Sequence, residues 1–479
     1  MRKLILVGLL AFAVALVGTA YAEVQNVKVS GDIDMKVIAQ DNFDLKNKQL
    51  NIALGTSTVP VVSNDDGASI FLSTVNVNLD ADLSDNVSTE VTLRNQRIWD
   101  GQSSAVTRAV IKHAYVVLKE FLYSPLTLKI GRQELNYGTG FIVGAGLLAD
   151  PEAVFSTGVT TGPHGQIGQQ YSDFNSYDAI RAILDFAPWT IEGVYAKINE
   201  TGVASDDQDL FGALVNYKVG RWDAEVEPYW FYKQNESAAA WTLSDQTGRT
   251  YTTNDVHTVG LRGAASPIEN LKINGEIAHQ FGKIIATTPR VERTRNAWGA
   301  TADVRYTWSK VRWTPVTGLG WVFFSGQNPV PNGTGLSDAD VRSYTAWDHM
   351  YRGSFATYIQ DFLGGNDEVN LYVTADANDT AANTNRHLFY GDASVKPLED
   401  LTVWGRYTHA QFARAPRTGR STYAGDEVDW KVVYDYTGDV KLSLFGGLFL
   451  PGKFYDQPPT AVKSHDTAWT VGSGATVKF

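Results

Sequence analysis

The last segment of the chain alternates. Trp469, Val471, Ala475, Val477 and Phe479 share one parity, while Thr470, Gly472, Gly474, Thr476 and Lys478 share the other. Successive side chains of a β-strand point to opposite faces, so this segment is a strand with one apolar and one polar side, closing on an aromatic residue. The same two-residue period runs through most of the chain. Val87, Thr89, Val91 and Leu93 oppose Ser88, Glu90, Thr92, Arg94 and Gln96. Trp222, Ala224, Val226, Pro228, Trp230 and Tyr232 oppose Asp223, Glu225, Glu227 and Lys233. Trp298, Ala300, Ala302, Val304, Tyr306 and Trp308 oppose Thr301, Asp303, Arg305 and Thr307, and Val428, Trp430, Val432, Tyr434 and Tyr436 oppose Asp429, Lys431 and Asp435.

A soluble sandwich alternates too, so period alone does not choose the medium that meets the apolar face. Segment length, aromatic placement and connection length do. The segments run 10 to 15 residues, long for soluble strands and suited to tilted spanning strands. Trp222, Trp230, Trp298 and Trp308 recur near segment ends, where an interfacial belt would lie. Connections are short at Ala187-Pro188, Val219-Gly220, Ser309-Lys310, Pro397 to Asp400 and Thr437-Gly438, and long at 41–67, 136–176, 234–254, 325–348, 414–424 and 451–465. One rim of tight turns and one of long loops define a transmembrane antiparallel β-barrel, with turns on the periplasmic side and loops outside. About 20 strands are expected, including a pair at Met350–Phe362 and Val369–Ala375; without that pair the number is 18. The 12% aromatic content and 43 glycines fit girdles and turns.

The start of the chain supplies the route. Met1, Arg2 and Lys3 precede an apolar run from Leu4 to Val17, and Ala20-Tyr21-Ala22 is a small-x-small cleavage pattern. Residues 1–22 are expected to be a signal peptide and 23–479 a barrel exported to a Gram-negative outer membrane. Phe479 is expected to engage the barrel-insertion machinery. The absence of cysteine excludes disulfides and thiolate metal sites. A net charge of −11, or −13 once Arg2 and Lys3 leave with the signal, argues against nucleic acid as partner.

Three stretches exceed general barrel character. Leu128-Lys129-Ile130-Gly131-Arg132-Gln133-Glu134-Leu135-Asn136-Tyr137-Gly138 ends a strand and opens the 136–176 loop. Gly425-Asp426-Glu427-Val428-Asp429-Trp430 opens a late strand, and Gly446-Gly447-Leu448-Phe449-Leu450-Pro451-Gly452 follows it. Together they resemble the alginate-export family of outer-membrane barrels, in which a G-R-Q-E/x-L-x-Y-G element precedes G-x-E-x-D and G-x-x-F-x-P-G elements. The resemblance implies an 18-stranded barrel and, in its exporting members, an arginine-lined pore for a carboxylated polysaccharide. Here Thr139-Gly140-Phe141-Ile142-Val143-Gly144 lacks the basic residue that often follows the first element, and the chain is acidic. Both features place it with the porin-like members.

Inward-facing charges of a wide barrel set which solutes pass. The pore-lining candidates are Glu90, Arg94, Asp303, Arg305, Arg406 and Asp429 on polar strand faces, with Arg132 and Glu134 beside the longest of these motif-bearing loops. The 136–176 loop is expected to fold inward and narrow the lumen, Arg132 and Glu134 anchoring its base. Opposite charges on adjacent strands also pair to stiffen a wall, which is the plainer role for each strand residue. Eight histidines are scattered without H-E-x-x-H spacing, and neither G-x-S-x-G nor a P-loop occurs, so neither enzyme nor cofactor is implied. The expected function is passive diffusion of small hydrophilic or charged solutes through a monomer or homo-oligomer. Export of an anionic polysaccharide, or a sheath around an electron-carrying cytochrome, are the alternatives.

Overall fold

Alternating segments close into a wall. A computed structural model describes residues 26–43, 45, 51–54, 57–60, 67–99, 109–144, 171, 176–199, 208–242, 250–287, 290–327, 343–353, 357–359, 384–415, 421–455 and 466–479; the expected signal at 1–22 lies outside them. The described residues form an 18-strand closed antiparallel barrel. Its first nine strands are β1 (Asn26–Asp41), β2 (Ala68–Ser84), β3 (Val87–Ile98), β4 (Val110–Leu118), β5 (Leu126–Gln133), β6 (Tyr177–Phe186), β7 (Trp189–Asn199), β8 (Gln208–Val219) and β9 (Ala224–Thr242). The rest are β10 (Thr250–Ala265), β11 (Leu271–Thr287), β12 (Arg290–Thr307), β13 (Val316–Phe324), β14 (Arg386–Leu398), β15 (Leu401–Phe412), β16 (Tyr423–Asp435), β17 (Val440–Pro451) and β18 (Ala468–Lys478). Each strand pairs with its chain neighbours, and β1 also pairs with β18 from Asp32↔Lys478 to Asp41↔Trp469, which removes both edges.

The sequence rims are recovered with shifts. One end carries turns such as 85–86, 187–188 and 399–400; the other carries 134–176, 325–385 and 452–467. β9 and β10 run through most of the expected 234–254 loop, leaving only 243–249 between them. Trp222 and Asp223 sit in a turn with φ of 63° and 46° rather than in a strand. Met350–Phe362 is not a wall strand: its described residues lie inside the barrel, and β13 pairs directly with β14 from Val316↔Ser394 to Phe324↔Arg386. Its partner, Val369–Ala375, lies outside the described residues.

The outer face is apolar and exposed, as at Val259, Leu261, Ile273, Ile277, Leu319 and Leu444. A contiguous surface of this kind needs a hydrocarbon solvent. Two aromatic belts bound it. On the loop side Tyr195–Phe211, Tyr232–His257 and His279–Trp298 rings lie 5.0, 4.2 and 4.5 Å apart. On the turn side the Trp189 and Tyr217 ring centres lie 4.3 Å apart and those of Tyr306 and Trp308 4.8 Å apart. Trp298 on β12 and Trp308, the residue just past its end, are ten residues apart. At ~3.3 Å per residue and a tilt of about 40°, that spans about 25 Å, the thickness of the apolar band of an outer membrane.

The inner face has two zones. Its turn-side half is polar, with Asn216, Lys218, Asp392, Lys441 and Ser443. Its loop-side half carries Leu210, Leu214, Val322, Phe324, Leu388 and Phe412, all buried. Simple alternation predicts polar residues along the whole inner face. The loop-side half departs from it because protein, not water, covers it.

Candidate functional site

The first sequence element turns the chain from wall to lumen. Gly131 has φ of 125°, and a Cβ there would sit 2.3 Å from the Ala114 carbonyl oxygen, so only glycine fits the twist in β5. The Gln133 amide is buried and donates to the carbonyls of Ala179 at 2.9 Å and Gly131 at 3.1 Å, pinning the strand end. Beyond it, Leu135 is fully buried, the Tyr137 hydroxyl donates to Glu192 Oε1 at 2.6 Å, and Thr139 Oγ1 donates to Glu276 Oε2 at 2.9 Å. Burial, then the Glu192 charge, push the Tyr137 phenol up and keep it a donor. Phe141 ends the run, 5.5 Å from both Phe324 and Trp347 ring centres.

A second segment, 343–353, lies beside it. The Asp348 carboxylate accepts from Lys233 Nζ at 2.7 Å, Asn254 Nδ2 at 2.9 Å and the Met350 amide at 2.8 Å, with Arg295 Nη2 at 3.6 Å. Gln280 bonds both backbone groups of Asp348, at 2.7 and 2.8 Å, and Arg295 Nη1 donates to the Ala346 carbonyl at 2.9 Å. Burial alone would raise the Asp348 pKa; Lys233 and Arg295 overcome it and hold the carboxyl well below the usual range. The two segments are stitched to each other: Gly144 N donates to Tyr351 O, Tyr351 N to Ile142 O, and Gly353 N to Gly140 O, at 2.9, 3.0 and 2.8 Å.

A third piece, 357–359, docks on the two late elements, which are neighbours in register: Gly425↔Pro451, Glu427↔Phe449 and Asp429↔Gly447. The Ile359 amide donates to Glu427 Oε1 at 2.8 Å. Tyr358 lies 5.9 Å from Phe445 and 6.4 Å from Tyr171, whose hydroxyl meets Thr470 Oγ1 at 2.9 Å. Gly425, at φ 142° with the Leu450 carbonyl 2.5 Å from any Cβ, again marks a place where a side chain is excluded. All three elements therefore hold inserted chain against the wall.

Six of the eight candidates from sequence face the lumen: Glu90, Arg94, Asp303, Arg305, Arg406 and Asp429. Arg305 forks onto Asp303 at 2.9 Å and Asp392 at 2.9 Å, and Arg406 reaches Asp392 at 2.8 Å, with Asp429 opposite Arg406 in register. Glu90 bonds the Tyr115 hydroxyl, His113 Nδ1 at 3.2 Å and Thr92 Oγ1 at 3.1 Å, apart from that network. Arg94 is almost fully buried. Arg132 faces outward: it is opposite Ala114, alternates with inward Lys129 and Gly131, and forks onto Asp178 at 2.9 and 3.1 Å. Glu134 is exposed between buried Gln133 and Leu135, and its charge acts on Lys129. Sequence reading missed the Asp348 clasp. Its signal was four polar inward residues, Lys233, Asn254, Gln280 and Arg295, each next along its strand's inward face to a buried apolar one (Phe231, Val256, Ala278 and Ala297).

Comparisons agree with this architecture. Three Pseudomonas aeruginosa structures are similar: OpdO (TM-score 0.52, 10% identity, covering 96% of this chain and 98% of that one), OccK2 (OpdF) in complex with glucuronate (0.51, 11%, 95% and 98%), and OccK8 (OprE) (0.51, 10%, 95% and 98%). At such identity they speak to the fold alone. No curated protein matches the sequence. The alginate export family model matches residues 39–468, almost the whole described barrel. By that match, the chain belongs to the alginate export family.

Proposed function

We propose that the protein is a passive channel of the Gram-negative outer membrane for small hydrophilic or charged solutes, with its bore set by inserted segments. The observation that carries this is an inner wall that is polar in its turn-side half and narrowed in its loop-side half by 134–144 and 343–353, held by the Asp348 clasp. An 18-strand barrel tilted by about 40° has a backbone radius of about 18 Å, so an unfilled lumen would pass far larger objects. Wall charges then bias the solute: Arg181 on Glu192, Arg262 on Glu225, and Arg305 between Asp303 and Asp392. These arginines are each matched by carboxylates, which favours a mixed-charge diffusion path over export of a polyanion along an uncompensated basic track. The inserted segments likewise leave less room for a cytochrome sheath. Residues 1–22 act as the export signal and 23–479 as the mature barrel.

Planar-bilayer recording of the purified mature chain tests the channel. Discrete ion-conducting steps are expected, and removal of 140–170 should raise the unitary conductance. A correctly folded barrel with no steps would refute the proposal. Mass spectrometry of the exported chain should place its first residue at Glu23.

A further inference from the structure

Behind the docked 357–359 segment, the inner wall holds more negative charge than it pairs. Asp303, Asp392, Glu427 and Asp429 meet two guanidiniums, and those of Arg305 and Arg406 are bonded to Asp303 and Asp392. Arg406 is opposite Asp429 in register yet turns to Asp392. Asp429 is 1% exposed, and neither of its carboxylate oxygens accepts a hydrogen bond. Thr357, Tyr358 and Ile359 above it bring no cation. Lys431, the next inward residue of β16, lies in the field of Lys36 and Asp34 instead. Buried carboxylates of this kind persist in folded interiors when they are paired or coordinate a metal.

We propose that Asp429 and Glu427 bind one hard divalent cation such as calcium, which pins 357–359 to the wall, with Thr408 Oγ1 as a neutral ligand. The two carboxylates share one strand face, two residues apart. At ~3.3 Å per residue their Cβ atoms are about 7 Å apart, a gap that one cation with oxygen ligands at about 2.4 Å bridges. Glu427 is fully buried, and its Oε1 is fixed by the Ile359 amide at 2.8 Å, so the cation and the inserted segment hold the same side chain. Thr408 is opposite Glu427 in register, 1% exposed, and its hydroxyl also has no hydrogen-bond partner. Gly447 is opposite Asp429, and a Cβ there would lie 2.6 Å from Asp429 Oδ1, 3.3 Å from Tyr358 Cβ and 3.5 Å from Ile359 Cδ1. Its missing side chain is what gives the carboxylate room beneath the segment. A proton would cancel one of the two surplus charges; a divalent cation cancels both and gives Thr408 Oγ1 a partner.

The test uses the full mature barrel, refolded in zwitterionic detergent, stripped with EDTA and titrated with calcium chloride by isothermal calorimetry. Wild type should bind one calcium per chain. Asp429→Asn should weaken that binding about a hundredfold and Thr408→Val about tenfold, the span that losing one partner at a metal site covers. Calcium should also raise the melting temperature of wild type and leave that of Asp429→Asn in place. The absence of a saturable single equivalent overturns the proposal. So does an Asp429→Asn affinity equal to wild type, which would mark diffuse binding to wall carboxylates. Wild type that melts at one temperature in calcium and in EDTA overturns it too, and a proton shared by the two carboxyls would give that result. Should Asp429→Asn fail to fold, Thr408→Val decides alone, because it keeps both carboxylates and the side-chain shape. Binding is read without conduction, so failure of the channel reading would leave this outcome intact.

Discussion

Replacing Asp348 by asparagine should open the channel without unfolding the barrel. The carboxylate is buried against Lys233, 8% exposed, and Arg295, 1% exposed, and it belongs to a segment whose backbone is stitched to 140–144. Removing one member of a buried ion pair costs about 3–5 kcal/mol because the partner charges stay behind. Asparagine still accepts from Lys233 and the Met350 amide, so the lower end applies, about a hundredfold shift of the docked-to-released ratio. The strands keep their own pairing, so the change is local. In planar bilayers Asp348→Asn should show flicker to a larger conductance than wild type, while the heat-modifiable mobility of the folded barrel is unchanged. Adding Lys233→Met should recover part of the docked state by removing the orphaned cation. A folded Asp348→Asn barrel with wild-type step size and no added flicker would refute the clasp as the element that holds the constriction.

Other consequences can be checked directly. Because the folded Asp348 pKa is depressed, its contribution is complete above the unfolded value of about 4 and is lost only as pH falls through the lower folded value. Conductance should therefore be flat from about pH 8 to 5 as far as this clasp is concerned, with flicker appearing only below about pH 4. Gly131→Ala should lower the unfolding free energy read by urea titration by about 1–3 kcal/mol through strain at φ 125°, whereas Gly193→Ala, with open space around its Cβ, should be near neutral. Phe479→Ala strips a ring packed over Gly31 and should slow assembly into liposomes, read by the gel band shift, while the backbone bonds between Gly31 and residue 479 allow a folded end product.

Period two was enough to assign faces on almost every strand, because a lipid-facing side chain cannot be polar whatever lies elsewhere. Trp298 to Trp308 even measured the membrane. The alternation failed where a face met protein on both sides. Inward Leu210 and Phe324 broke the polar pattern because inserted chain covers them. Met350–Phe362 imitated a strand because a segment packed in a lumen needs apolar residues too. Arg132 shows a different limit: its motif was legible, but its face depended on the twist at Gly131 and on pairing with β4, which spacing does not encode. Asp348 was invisible because its partners lie 53 to 115 positions away.

The seam has a kinetic meaning. Gly31 and Phe479 exchange both backbone bonds, at 2.9 and 3.0 Å, so the last edge vanishes only when positions 448 apart have met. Until then any intermediate carries two open strand edges and an apolar outer surface, each a template for pairing with other chains. Such a long contact makes closure slow relative to hairpin formation. The molecule is thus most exposed at its seam until closure, so delay rather than instability is its hazard.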